Sequence, residues 1–449
     1  MSWLPIARLL ATGREADHPV AQRGGEVLRY RSFAAAVAEV AARLGAGRWR
    51  RAVLLIEDSW LFAVGFLGAL HAGLTVVLAH HKVAAQAATA ADPEALALDA
   101  CWFGQSAIAA VEPVGAAFSP LDPARCQVGF FTSGSTGVPK LILRSLAGLQ
   151  AELDIFQSMW GGTSGCGLVR ATVSHQHLYG LTFKVLWPLS VGRPFATETH
   201  EIWEAVLALL DDETMLVSSP AHLTRMTGLA ALPPERQPRR VFSAGAVLPQ
   251  AASREAMVLL GVAPTEIFGS TETGAIATRS DAGAATPWRL LPGIAIRIGE
   301  DRRLTLRSPA IDSDDACWYR TEDLVAPAEG GFHFLGRADR MVKIEGKRGD
   351  LPALERELEL SGWAEAAAVL VLPGIRPSLA AVVVPNAAAQ QQLRDIGAFR
   401  FARRLRRQLA AAHGPAGLPR QWRFVDALPA ARMGKRSEAD LRSLFVAGP

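Results

Sequence analysis

The run Thr132-Ser-Gly-Ser-Thr-Gly-Val-Pro-Lys140 groups small, backbone-permissive and hydroxyl-bearing residues and ends on a cation. That is the composition of a loop built to hold phosphate. Gly134 and Gly137 let the backbone turn and bring its N–H groups close to an anion, while Thr132, Ser133, Ser135 and Thr136 add hydroxyl donors and Lys140 the countercharge. Cys126-Gln-Val-Gly-Phe-Phe131 before it and Leu141-Ile-Leu-Arg144 after it read as strands, so the loop joins two strands. In the nucleotide loop of P-loop NTPases a helix starts at the lysine instead. Here Pro139 lacks the amide such a cradle uses, and no Ser or Thr follows Lys140 to hold magnesium. An ordinary Ser/Gly-rich turn accounts for the glycines but not for the whole string.

Further strings with chemical content follow in chain order. They are Ser174-His-Gln-His-Leu-Tyr-Gly-Leu181, Val241-Phe-Ser-Ala-Gly-Ala246, Phe268-Gly-Ser-Thr-Glu-Thr-Gly274, Trp318-Tyr-Arg-Thr-Glu-Asp-Leu324, Gly336-Arg-Ala-Asp-Arg-Met-Val-Lys343 and Leu428-Pro-Ala-Ala-Arg-Met-Gly-Lys435. With the phosphate loop, these resemble the motifs of the adenylate-forming (AMP-binding) superfamily, in the family's order, over about residues 126 to 435. That superfamily holds acyl- and aryl-CoA synthetases, peptide-synthetase adenylation domains and luciferases. The resemblance implies ATP and Mg2+ as cofactors, and a carboxylic acid activated as acyl-AMP and passed to a thiol.

Attack of one anion on the phosphate of another is limited by charge repulsion and orientation, so cations must be supplied. By the resemblance, Lys435 enters from a C-terminal domain and contacts both carboxylate and phosphate oxygens. Glu272 is a hard oxygen ligand suited to Mg2+, and Thr271 is placed to bond the α-phosphate; a helix-capping role competes for Glu272. Asp323 has two oxygens for a ribose diol and Arg337 adds a ribose or phosphate contact, with a structural ion pair as the competing reading. Gly245 and Ala246 resemble the loop lining the adenine and acyl pockets, and Phe268 and Gly269 belong to the same nucleotide-binding set. His177 corresponds to a histidine on the carboxylate side of the acyl pocket, although a buried structural histidine fits the residue type as well; His175 has weaker claims. Asp339 matches the hinge about which the small domain turns, and Lys343 the surface brought in after that turn, so that one site serves both half-reactions.

The segment after His177 lacks the aspartate with which amino-acid-activating relatives meet an ammonium group, and Leu178, Tyr179 and Leu181 are uncharged. This favours an aryl or acyl carboxylate. The same segment, with Leu186-Trp-Pro-Leu189 after it, is also similar to ligases of aryl-polyene and xanthomonadin-type pigment pathways, which prime a carrier protein with an aromatic acid. The acceptor is then the phosphopantetheine arm of an acidic acyl carrier protein, or alternatively coenzyme A. A non-catalytic AMP-binding module is a further alternative, against which the intact Lys140, Glu272, Asp323 and Lys435 count.

These residues need a large scaffold. At 449 residues, half of them hydrophobic, the chain can bury several cores, and about two to three domains are expected. Strand-like runs such as Ala52-Val-Leu-Leu-Ile56 alternate with helical segments, which predicts an α/β fold with buried parallel strands. The boundary falls at 336, giving a large layered α/β domain over 1–336 and a small mobile α+β domain over 337–449. The stretch of about 130 residues before the phosphate loop is short for the family, so a reduced N-terminal subdomain is expected. Glu322 stands where the family usually has glycine, which bears on the local backbone.

The nearly apolar run Trp60 to Ala79 predicts no membrane span but a buried helix to about His71, a turn at Gly73 and a buried strand Leu74–Leu78, because β-branched residues cluster only in its second half. Four scattered cysteines without metal or redox spacing read as buried thiols, and the N-terminus lacks a secretion signal's apolar core, so a cytoplasmic protein is expected. A net charge of +4 with interspersed signs does not point to nucleic acid. One cluster, Arg400, Arg403, Arg404, Arg406 and Arg407, lies in a helical pattern set by Phe399, Phe401, Leu405 and Leu409, as a solvated face or a docking surface for an acidic partner.

Overall fold

The strands flanking the phosphate loop close one side of a five-stranded sheet. Its order is Ala95–Leu98, Arg51–Leu54, Thr75–Leu78, Gln127–Ser133, Pro139–Ser145. The first four are mutually parallel and the last returns antiparallel. The computed structural model describes residues 3–79, 82–90, 92–103, 118–133, 139–162, 167–280, 286–312, 318–338, 341–344, 347–372, 378–413, 418–429 and 438–446.

The apolar run behaves as its residue types require. Helix Ser59–His71 is capped by Asp58, whose carboxylate accepts the Leu61 N–H at 2.9 Å, and it is buried from Ser59 to Leu70. A helix apolar on all sides belongs inside a core. A Cβ on Gly68 would lie 2.4 Å from Val40, so the glycine lets this helix close on helix Tyr30–Gly45. The chain then turns at Gly73 and enters strand Thr75–Leu78. No helix among the described residues is long and apolar enough to cross a membrane.

A second, thirteen-stranded sheet carries most of the remaining motifs. Its parallel part includes Phe195–Ala196, Val169–Ala171, Met215–Ser218, Arg240–Ala244 and Thr265–Ser270. From Thr265–Ser270 it continues antiparallel through Gly274–Arg279 and Trp288–Leu290 to the hairpin Gly331–Arg337 and Tyr319–Ala328. An interlocked group of aromatics, Phe156, Trp160, Phe183, Trp187 and Phe242, holds helix Leu146–Trp160 to the parallel part, with ring centroids from 4.4 Å (Phe156 to Phe183) to 6.3 Å (Trp160 to Trp187). The fold is α/β, as the alternation of elements predicts.

Residues from Leu351 onward bury apolar side chains in clusters of their own, around the sheet Ala364–Leu372, Ser378–Pro385, Gln421–Phe424 and helix Leu351–Leu360. Two expectations fail here. The long helix Ala387–His413 is broken at Gly397, whose φ of 77° is not helical, and Phe399, in the first turn beyond the break, is 76% exposed while Phe401, Leu405 and Leu409 are buried. Arg400, Arg403, Arg404, Arg406 and Arg407 are exposed with it, and the Arg404 guanidinium also lies 4.4 Å over the Trp363 ring and bonds Gln392 at 3.0 Å. Of the cysteines, Cys101 is exposed and Cys126 half-buried, against the expected burial; Cys166 and Cys317 lie outside the described residues.

Candidate active site

Parallel strands present their carboxyl ends as a ligand-binding edge in open α/β sheets. Here that edge carries the strings that follow or end strands Arg240–Ala244 and Thr265–Ser270. Gly245 and Ala246 follow strand Arg240–Ala244 and are exposed. The adjacent strand Thr265–Ser270 ends in Phe268 and Gly269, at a bulge against Gly274–Arg279. Phe268 packs its ring on Trp288, Phe332 and Phe334 at 5.1–5.3 Å, which ties this strand to the antiparallel extension.

The turn beyond is locked by two hydroxyls. The Ser270 N–H donates to Thr273 Oγ1 at 3.1 Å and the Thr273 N–H to Ser270 Oγ at 3.2 Å, leaving Thr271 and Glu272 half-buried at the tip. Glu272 is therefore in a turn and caps no helix.

Asp323 and Arg337 face each other across their hairpin in register, with Arg337 Nη1 3.4 Å from Asp323 Oδ1. Asp323 is buried; its N–H donates to Thr321 Oγ1 at 3.0 Å, and that hydroxyl donates to the Leu304 carbonyl at 2.9 Å. Glu322, at the family's glycine position, leaves the backbone free of positive φ and pairs outward with Arg303 at 3.0 Å. The substitution is thus absorbed on the opposite side of the strand from Asp323. The Tyr319 phenol on the same strand as Asp323 is held above its usual pKa by burial first, then by the charge of Glu272, with Asp323 and Glu322 adding to the rise and Arg337 opposing it. Among the described residues no three His, Cys, Asp or Glu side chains cluster as a metal cage. A magnesium ion carried on phosphate oxygens needs no such cage, and a single half-buried carboxylate such as Glu272 fits that use.

The histidine segment divides its two histidines. His175 is fully buried, with Nε2 2.8 Å from the Ile56 carbonyl and Nδ1 3.0 Å from Ser59 Oγ. The carbonyl can only accept, so Nε2 carries the proton and Nδ1 accepts from serine. Burial, then the nearby Lys184 charge, holds its pKa well below the ordinary value. His175 anchors the segment to the start of helix Ser59–His71. His177 is half-buried and precedes the short helix Leu178–Gly180, which passes into the π-helix Leu181–Leu186.

The hairpin Gln127–Ser133 and Pro139–Ser145 pairs Thr132 with Lys140 and Ser133 with Pro139, so both strands run further than their sequence suggests. Proline is tolerated because it opens its strand at the edge of the sheet. Lys140 is exposed. Thr132 and Ser133 are described as strand backbone, and Lys343 likewise in strand Met341–Ile344. Gly134, Ser135, Thr136, Gly137, Asp339 and Lys435 lie outside the described residues.

Residues 92–306 match the family model described as AMP-binding enzyme. This span is an AMP-binding domain, and the proteins the chain resembles include acyl- and aryl-CoA ligases. It is 29% identical over 321 residues to a 4-coumarate–CoA ligase of Rhodobacter capsulatus, covering 70% of this chain and 76% of that protein. Over 96% of its length it is 23% identical to the 3-hydroxybenzoate–CoA ligase of Aromatoleum sp., of which it covers 94%. The fold is similar to ATP-bound MatB from Rhodopseudomonas palustris, with a TM-score of 0.79, 20% identity and 99% of both chains covered.

Proposed function

We propose that this enzyme activates an aryl or acyl carboxylic acid with ATP and transfers the acyl group to a phosphopantetheine thiol, with an aryl acid and an acidic acyl carrier protein as the favoured pair. The observation that carries the reading is the in-register pair of Asp323 and Arg337 on a hairpin of the same sheet whose strand Thr265–Ser270 leads into the Thr271–Glu272 turn. In the first step a carboxylate oxygen attacks the α-phosphorus, its bond to the β-phosphate oxygen breaks, and pyrophosphate leaves. In the second, the thiol sulfur attacks the acyl carbon, AMP leaves with its new oxygen, and the thiol proton goes to solvent.

The residues divide that work as follows. Asp323 accepts from the ribose diol while Arg337 orients it; Gly245, Ala246, Phe268 and Gly269 border the base and the acid. Thr271 donates to the α-phosphate, and Thr132, Ser133, Ser135 and Thr136 with the amides of Gly134 and Gly137 surround the outer phosphates beside Lys140. Glu272 would hold Mg2+, which when bound offsets the phosphate charge that the carboxylate must approach. Lys435 stabilises the transferring charge, and turning about Asp339 within a 337–449 domain exchanges it for the surface carrying Lys343. His177 borders the carboxylate.

Two features favour the substrate and acceptor. The relatives matched are named for coumarate and hydroxybenzoate, both aryl acids. The exposed face of Phe399, Arg400, Arg403, Arg406 and Arg407 offers positive charge around an apolar centre, complementary to an acidic carrier. Coenzyme A is the second reading, favoured by the names of the same relatives, and its nucleotide phosphates would use the same arginines.

Acid-dependent ATP–pyrophosphate exchange over a panel of aryl and fatty acids tests the proposal. Exchange with an aryl acid, followed by faster loading of an acidic carrier than of coenzyme A and loading that weakens with salt, is expected. No exchange with any acid overturns the activity; preference for coenzyme A overturns the carrier.

A further inference from the structure

Two buried ions lie behind the Thr271–Glu272 turn, and the chemistry above uses neither. Arg144 stands on strand Pro139–Ser145, four residues past Lys140, and is 2% exposed. Its Nη1 donates to the Thr271 carbonyl at 2.9 Å and its Nη2 to the Ala310 carbonyl at 2.6 Å. Glu152, on helix Leu146–Trp160 and equally buried, accepts the Ala275 N–H at 3.1 Å and keeps its other oxygen 3.9 Å from Arg144 Nη2. One ion therefore holds the carbonyl just before Glu272 and the other an amide three residues after it. The arrangement leaves no slack: Gly274 has φ 68°, and a Cβ there would come within 2.7 Å of Glu152 Oε2.

The energetics argue against a purely structural part. Removing both charges from water costs several kcal/mol per ion, and an apolar pair of similar volume often folds as well or better. What apolar residues cannot supply is a fork of donors that fixes two carbonyls at once. Burial pushes the Glu152 carboxyl up, opposed by the Arg144 charge and the Ala275 N–H, so each ion depends on the other.

We infer that Arg144, backed by Glu152, is a positioning residue that sets the Thr271–Glu272 turn against the strand leaving the phosphate loop, so that metal ligand and phosphate loop keep a single spacing. What the spacing serves rests on the proposed adenylation. Glu272 would hold the magnesium ion, and Arg144 would act only through the backbone beneath it.

The test compares wild type with Arg144→Lys and Arg144→Met. In ligand-free protein, amide hydrogen exchange over residues 268–276 is expected to quicken at least several-fold in Arg144→Met, with the strands of the five-stranded sheet unchanged. In pyrophosphate exchange the Mg2+ concentration for half-maximal rate is expected to rise about 10-fold in Arg144→Met at an unchanged KM for the acid, and less in Arg144→Lys, which keeps the charge and one carbonyl. Arg144→Lys covers the case in which Arg144→Met does not fold. Folded variants with wild-type magnesium dependence and wild-type protection of the turn overturn the inference. So does loss of protection spread evenly over the molecule. Wild-type protein inert with every acid would instead sink the adenylation reading, while the hydrogen-exchange comparison would still decide whether Arg144 holds the turn.

Discussion

Residue types alone left Asp323 either a ribose acceptor or half of an ion pair. The structure has the pair, with Arg337 Nη1 3.4 Å from Asp323 Oδ1. If a ribose diol also bonds this carboxylate, the contact exists equally in ground and transition states. Asp323→Asn should then raise KM for ATP by about 10- to 100-fold with a much smaller change in kcat, the weight of one or two hydrogen bonds to a charged group. Steady-state kinetics checks this, and an unchanged KM for ATP would remove Asp323 from the nucleotide site. Arg144 and Glu152 show what a motif reading misses at this scale. A buried arginine inside a strand sequence reads as an outward-facing charge until the residues packed against it are known.

At the scale of elements, the histidine helix carries a feature that no spacing revealed. Lys184 lies fully buried in the π-helix Leu181–Leu186, donating to the Glu198 carbonyl at 3.0 Å and to Thr199 Oγ1 at 2.7 Å. Burial lowers its pKa from 10.5 to about 7, against the attraction of Asp58 and Glu198, and His175 and His200 also feel its charge. Between about pH 7 and 10.5 the unfolded chain therefore holds a proton that the folded chain lacks. This group makes stability rise with pH across that window and adds no slope below it. Urea denaturation from pH 7 to 9.5 should show that rise in wild type and a flatter curve in Lys184→Met; parallel curves would mean that Lys184 stays charged in the fold. Other elements were legible. The switch from helix to strand at Gly73 follows from where β-branched residues begin, and the phosphate hairpin from apolar runs on both sides of a Gly-rich string. The break at Gly397 was not, because a single glycine inside a helical pattern is ordinarily tolerated, and the exposure of Phe399 follows from that break.

Over the whole molecule, the α/β class and the order of motifs were readable because strands and helices alternate and the motifs are local strings. Which strands lie in one sheet was not. Glu272 and Asp323 are far apart in sequence, and the sheet order runs from Thr265–Ser270 through Gly274–Arg279, Trp288–Leu290 and Gly331–Arg337 to Tyr319–Ala328. The central claim is that a carboxylate oxygen becomes bonded to the α-phosphorus of ATP and departs with AMP. Supplying an acid labelled with 18O in its carboxylate, with ATP and the thiol acceptor, and weighing the AMP tests it directly. One 18O per AMP, in amounts equal to thioester formed, is the expected result. Thioester formed together with unlabelled AMP, or with ADP in its place, would contradict it.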